Sequence, residues 1–226
     1  MRSALVTGGS SGIGLAIARM LKDEGFELTL AARTPEKLQA AADPLEAAAV
    51  IANFARAEDC ERAVAEHAAR WGGMDVLVNS AGLGVGGTFG QQDTKRIDLQ
   101  LDVNLRGAML VTREALPLLR VSHGWIVNLA SIAGTIPTPG LAVYGATKAA
   151  LISFTNSLNR EEAEHFVRAT ALCPGFVATA MADWTGIAAE DMIQPEDCAE
   201  IVRTLLHLSP HARVPQVVIE RVGDSV

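Results

Sequence analysis

The sequence predicts an α/β fold, a doubly wound parallel sheet of seven strands in a single domain, and two observations carry that expectation. Short apolar runs alternate with helical stretches along the whole 226 residues, as happens when helices cover both faces of a parallel sheet. Hydrophobic residues make up 49% of the chain, which suits one domain with a substantial core, residues 1–226, and no second folded unit.

Taken in order, the first apolar run, Ala4 to Thr7, leads straight into Gly8-Gly9-Ser10-Ser11-Gly12-Ile13-Gly14. Leu15-Ala16-Ile17-Ala18 then opens the helical pattern of Gly12 to Glu24. Strand-like runs follow at Glu27 to Ala32, Ala47 to Ala52 and Met74 to Asn79, separated by helical stretches at Glu36 to Ala42 and Ala57 to Trp71. A glycine-rich segment, Gly82 to Gly90, precedes one long helical stretch from Thr94 to Leu119. The fifth run, Trp125 to Leu129, is followed by Gly134 to Gly140 with Pro137 and Pro139, then by a helix over Ala142 to Glu164. Val167 to Leu172, the helix Pro195 to Leu208 and the run Gln216 to Glu220 complete the pattern. Both glycine-rich segments follow the C-terminal ends of strands, where open α/β sheets place their ligand crevice. Linkers are short, with no internal repeat or low-complexity tract.

Composition narrows the function. The formal net charge is -7 and the basic residues are scattered, so neither nucleic acid nor an anionic membrane surface is an expected partner. No targeting signal and no long apolar run are visible, which predicts a soluble, cytoplasmic protein without a membrane span. Cys60, Cys173 and Cys198 lie far apart, and His67, His123, His165, His207 and His211 have no ligand spacing. Reduced thiols and no metal site are the expectation.

Three features bear on chemistry. Tyr144 and Lys148 lie four residues apart on a helix and so share a face; an adjacent ammonium favours the phenolate and tunes a tyrosine for acid or base work. The glycine turn between strand and helix lets the backbone approach a pyrophosphate, whose charge is favoured by free N–H groups at the helix start, with Ser10 and Ser11 as further donors. The second strand ends Ala32-Arg33-Thr34 with no carboxylate at its tip. An acidic residue there binds the 2′-hydroxyl of NAD, whereas an arginine accommodates the 2′-phosphate of NADP, so Arg33 points to NADP(H), with NAD(H) as the alternative.

Together these residues resemble the short-chain dehydrogenase/reductase family over nearly the whole chain. Thr7, Gly8, Gly12 and Gly14 match its Thr-Gly-x-x-x-Gly-x-Gly, and Asn79-Ser80-Ala81-Gly82 resembles its Asn-Asn-Ala-Gly. Asn104, Ser131, Tyr144 and Lys148 match its catalytic set, and Pro174-Gly175 its Pro-Gly motif, with Val177 and Thr179 where the nicotinamide carboxamide is met. The resemblance implies a Rossmann fold and hydride transfer between nicotinamide and a carbonyl or alcohol carbon of a small or medium molecule. It implies Tyr144 as proton donor and acceptor, Ser131 as donor to the carbonyl oxygen, Lys148 on the nicotinamide ribose and Asn104 holding a water in the proton path. It also implies pairing of the two long helices between subunits, hence a homodimer or homotetramer. A dinucleotide-binding regulator without turnover is the rival from another class.

The chain departs from the pattern in places. Asn53-Phe54 stands where the family has Asp and a small residue near the adenine, and Ser80 replaces an asparagine. The segment Ala180 to Met192, in the place of the substrate lid, is short and carries Met181, Trp184 and Ile187. The tail, Val217 to Val226, lacks the usual Gly-Gly.

Overall fold

A computed structural model describes residues 1–223. Seven strands, β1 (Ser3–Thr7), β2 (Glu27–Ala32), β3 (Ala48–Ile51), β4 (Val76–Asn79), β5 (Trp125–Leu129), β6 (Arg168–Pro174) and β7 (Gln216–Ile219), form one sheet in the order β3-β2-β1-β4-β5-β6-β7. Every pairing is parallel. Seven α-helices accompany them among the described residues: α1 (Gly12–Asp23), α2 (Pro35–Ala42), α3 (Ala57–Trp71), α4 (Thr94–Leu101), α5 (Ala108–Ser122), α6 (Ala142–Glu161) and α7 (Pro195–Leu206). The chain winds outward through β1, β2 and β3, then returns to lay β4 on the other side of β1. The loops after β1 and β4 therefore part at this switch point and leave a crevice between them.

Two cores hold the layers, because successive strand residues point to opposite faces. Ala4, Val6, Val76, Val78, Trp125 and Val127 pack with Ile17 and Leu21 of α1 and Val202 and Leu205 of α7. Their neighbours Leu5, Leu77 and Ile126 face the other way, against Val64 of α3, Val111 and Leu119 of α5, and Leu158 of α6. All of β1, β4 and β5 is buried, which is why these strands read as apolar runs.

One element differs from expectation. In place of a single helix over Thr94 to Leu119, α4 and α5 are joined by a π-helical stretch, Asp102–Gly107. The wider turn sets Asn104 against the backbone of Leu83, and a Cβ at Gly107 would collide with the Phe54 carbonyl. A π-turn inserts one residue into an otherwise helical pattern, and apolar periodicity barely registers it. The helix from Ala142 also stops at Glu161, where a 3₁₀ turn, Ala163–His165, leads to Phe166 at a φ of 57°. α5 runs on to Ser122, three residues past the expected Leu119, and the other boundaries fall within two residues of those expected. Of the tail, Asp224, Ser225 and Val226 lie outside the described residues. No described helix is long and apolar enough to cross a membrane.

Candidate active site

A cleft of about 880 Å³ runs along the C-terminal ends of the strands, from the tip of β2 to the segment after β6. It begins at the glycine turn. Gly8 has a φ of +66°, and a Cβ there would lie 2.8 Å from the Ala81 nitrogen; a Cβ at Gly14 would lie 2.5 Å from the Gly8 carbonyl oxygen. Glycine is thus required by close backbone approach as well as by conformation. Thr7 Oγ1 accepts from the backbone N–H groups of Ser80 and Ala81, each at 3.1 Å, tying the β1 and β4 loops together. Ser11, the N-cap of α1, makes no side-chain cap bond and the first turn holds no acidic residue, so the helix start keeps donors for an anion.

The residues here fit a dinucleotide. Gly8, Ser10, Ser11, Gly12 and Ile13 line the cleft, as do Arg33, Asn53, Phe54, Ser80, Ala81 and Gly82. Lys37 of α2 joins Arg33 in the lining, and neither cation has an ion-pair or hydrogen-bond partner among the described residues. Asn53 Oδ1 accepts from Ala55 N at 3.2 Å, which leaves one lone pair and the Nδ2 group for a base. Gly14 and Asn104 do not line the cleft.

At the other end, Ser131 follows β5 and Tyr144 and Lys148 ride on the first turns of α6. Tyr144 and Ser131 line the same end of the cleft, and Ser131 Oγ accepts from Ala133 N at 3.2 Å. Lys148 Nζ donates to the Leu129 carbonyl at 2.5 Å and lies 5.6 Å from the centre of the Tyr144 ring. Asn104 is buried, with Oδ1 accepting from Leu83 N and Nδ2 donating to Leu83 O, both at 2.8 Å, and to Thr147 Oγ1 at 3.2 Å. Its amide is committed to fixing the Gly82–Leu83 backbone beside α6. Pro174, Gly175, Val177 and Thr179 complete the predicted lining.

Electrostatics here differ from the sequence expectation. Desolvation pushes the Tyr144 phenol above its ordinary 10, with the neighbouring Ser131 hydroxyl drawing it partly back. The same effect lowers Lys148 from 10.5 to about 8. Sharing a helix face is therefore not enough to favour the phenolate, because desolvation opposes the charged form of both groups and the ammonium is aimed at Leu129.

Sequence reasoning missed what brings Ser131 and Tyr144 together. A Cβ at Gly134 would lie 2.7 Å from the Lys148 carbonyl carbon, and one at Gly145 would lie 2.7 Å from the Ala133 oxygen. These two glycines let the turn after β5 press against α6. Gly134 was visible only as part of a loop and Gly145 as the residue after a tyrosine, so neither carried a signal. Leu83, Leu141 and Phe176 also line the cleft unforeseen. Of the three apolar residues in the short lid, Met181 and Trp184 line it and Ile187 does not. Among the described residues no cluster of His, Cys, Asp or Glu could hold a metal ion.

Comparison with known proteins agrees with this geometry. The sequence profile of the family described as short chain dehydrogenase matches residues 2–187. An uncharacterized oxidoreductase of Staphylococcus epidermidis is 36% identical over 225 residues, covering 97% of this chain and 96% of its own. Among solved structures, an alcohol dehydrogenase from the archaeon Thermococcus sibiricus, complexed with 5-hydroxy-NADP, superposes with a TM-score of 0.93 at 29% identity, covering 100% of this chain and 99% of its own. The closed form of a serine dehydrogenase complexed with NADP+ gives a TM-score of 0.90 at 29% identity, covering 99% and 96%.

Proposed function

Because the chain belongs to the short chain dehydrogenase family, we propose that it is an NADP(H)-dependent oxidoreductase interconverting a carbonyl and a secondary alcohol of a small or medium organic molecule. The observation that carries this reading is the gathering of Ser131, Tyr144 and Lys148 at the far end of a cleft that starts at the glycine turn. When bound, the nicotinamide supplies a hydride in reduction and accepts one in oxidation.

The chain's own residues do the rest. Free N–H groups of the Gly8 to Gly14 turn receive the pyrophosphate, Arg33 and Lys37 take the 2′-phosphate, and Asn53 and Phe54 border the adenine. Lys148 holds the nicotinamide ribose, and Gly175, Val177 and Thr179 border the nicotinamide. In reduction, Ser131 donates to the carbonyl oxygen as charge grows there. Tyr144 transfers its proton to that oxygen and then recovers one from solvent. Oxidation of the alcohol runs the same transfers in reverse. Asn104 acts through position, by fixing Leu83 and Thr147 on either side of this path.

Preference for NADP(H) over NAD(H) is supported by two cations at the tip of β2, with no carboxylate among the described residues that line the cleft, and by the NADP complexes of the two superposing dehydrogenases. We propose a homodimer or homotetramer as well, on the exposed Leu99 and Leu101 of α4 and the exposed Ala146 and Ala149 of the neighbouring α6. Three free, buried cysteines support a reducing, cytoplasmic setting.

Replacing Tyr144 with Phe tests the mechanism. General acid catalysis is worth roughly a hundredfold to ten-thousandfold, and turnover with NADPH should fall by that factor while cofactor affinity is kept. Undiminished turnover on a confirmed substrate would remove Tyr144 from the reaction.

A further inference from the structure

Beyond Ser131 and Tyr144 the cleft continues into a chamber with three walls. One is the loop after β4, through Leu83, Gly84, Gly86 and Gly87; a second is the stretch before α6, from Thr138 to Leu141; the third is the segment after β6, with Phe176, Met181 and Trp184. Apart from Lys148, whose Nζ donates to Leu129 O, no charged side chain among the described residues lines this half. The other cations of the cleft, Arg33 and Lys37, belong to its opposite end.

The third wall is unusual for a surface. Trp184 is 66% exposed and Met181 47%, and Trp184 stands edge to face with Phe176, ring centres 6.2 Å apart at 79°. Large apolar side chains gathered on one wall, instead of scattered singly, mark a place that something apolar covers. Room is available on the facing walls, since a Cβ at Gly86 or at Gly140 would meet nothing within 4 Å. The only charges on the segment from 180 to 192 are the acidic Asp183, Glu190 and Asp191, none of which lines the cleft.

From these observations we propose that the substrate is an uncharged carbonyl compound bearing an aryl or similarly large apolar group, and that the site rejects 2-oxo acids. The inference rests on the assignment of the carbonyl oxygen to Ser131 and Tyr144. With that oxygen fixed, the substituents on the carbonyl carbon enter the chamber. An apolar substituent there removes Trp184, Met181 and Phe176 from water. A carboxylate in the same place loses its hydration and, with the Lys148 ammonium held on Leu129 O, finds no other cation among the described residues that line this half of the cleft.

Methyl benzoylformate and benzoylformate provide the test, because they share the ring and the reacting carbonyl and differ in one charge. With the wild-type enzyme and NADPH, kcat/KM for the ester should exceed that for the acid by about a hundredfold or more, the scale on which a buried, unpaired polar group discriminates. Trp184→Ala should lower the ester value about tenfold, the order of an aromatic contact, with NADPH affinity unchanged. Met181→Arg, at an exposed position, should raise use of the acid and narrow the ratio about tenfold. Acid reduced as well as the ester overturns the proposal. Binding separates it from the reading beneath: the alcohols methyl mandelate and mandelate are titrated into the protein with NADP+ and followed by ligand-observed NMR. If neither keto compound turns over but methyl mandelate alone binds, the hydride reading fails and the apolar chamber stands. If mandelate binds equally, or neither alcohol binds, the chamber assignment is wrong.

Discussion

Replacing Lys148 with methionine should change how stability depends on pH, and the size of the change follows from burial. Lys148 is 5% exposed, and desolvation lowers its pKa from 10.5 to about 8. Below pH 8 the ammonium is charged in both folded and unfolded chains, and the folded state carries the full cost of burying it. Between about 8 and 10.5 the folded protein has released a proton that the unfolded chain still binds, so stability rises with pH across that window. At about 1.4 kcal/mol per pH unit the gain approaches roughly 3 kcal/mol. The thioether of the Lys148→Met variant cannot titrate, so wild type minus variant isolates this contribution. The lost Leu129 hydrogen bond shifts the whole difference by a constant and leaves its slope intact. Tyr144, the one tyrosine of the chain, is present in both proteins and largely cancels. Urea denaturation of both proteins at intervals from pH 7 to 10 measures the effect. Wild type should gain on the variant as pH rises, and the variant should be inactive. Parallel curves would refute the argument, since they would mean that the ammonium is as well solvated in the folded protein as in the unfolded chain.

Three further outcomes can be checked. Gly134→Ala should destabilise the fold by about 1–3 kcal/mol and lower kcat more than tenfold, because the new methyl must push α6 away from Ser131; denaturation and steady-state kinetics read the two effects, and unimpaired kcat counts against the close approach. Arg33→Ala and Lys37→Ala should each weaken NADPH about tenfold, as loss of a charge-assisted hydrogen bond does, with NADH little affected; equal loss for both cofactors in fluorescence titrations would contradict the phosphate assignment. Gel filtration at micromolar concentration should give a dimer or tetramer, and a monomer would leave the apolar patches of α4 and α6 without the partner assigned to them.

The proposed catalytic end of the molecule was legible because the chemistry proposed for it needs particular residue types at particular spacings. Tyr144 and Lys148 fall one helical turn apart, and Ser131 follows a buried strand at the edge of the crevice. Arg33 was legible for a similar reason, since the second strand ends at a fixed place relative to the glycine turn. The π-turn around Asn104 left no trace, because one extra residue hardly alters a helical pattern. Lys37 was invisible too: a lysine on a surface helix is ordinary until the fold sets it beside Arg33 in the same cleft.

The sequence by itself determined the alternation of strands and helices and the glycine turn, and it singled out the side chains proposed to react, all from neighbours within a few residues. Tertiary structure alone decided in which direction their pKa values shift and what they face. The sequence favoured an ionisable Tyr144 beside a cation; the folded chain half-buries the first and buries the second, and desolvation raises one pKa and lowers the other. It also decided that Gly134 and Gly145 set the distance between Ser131 and Tyr144, and that Trp184 and Met181 form a wall without charge. Desolvation and close approach arise between segments distant in the chain, and only the packed fold brings those segments together.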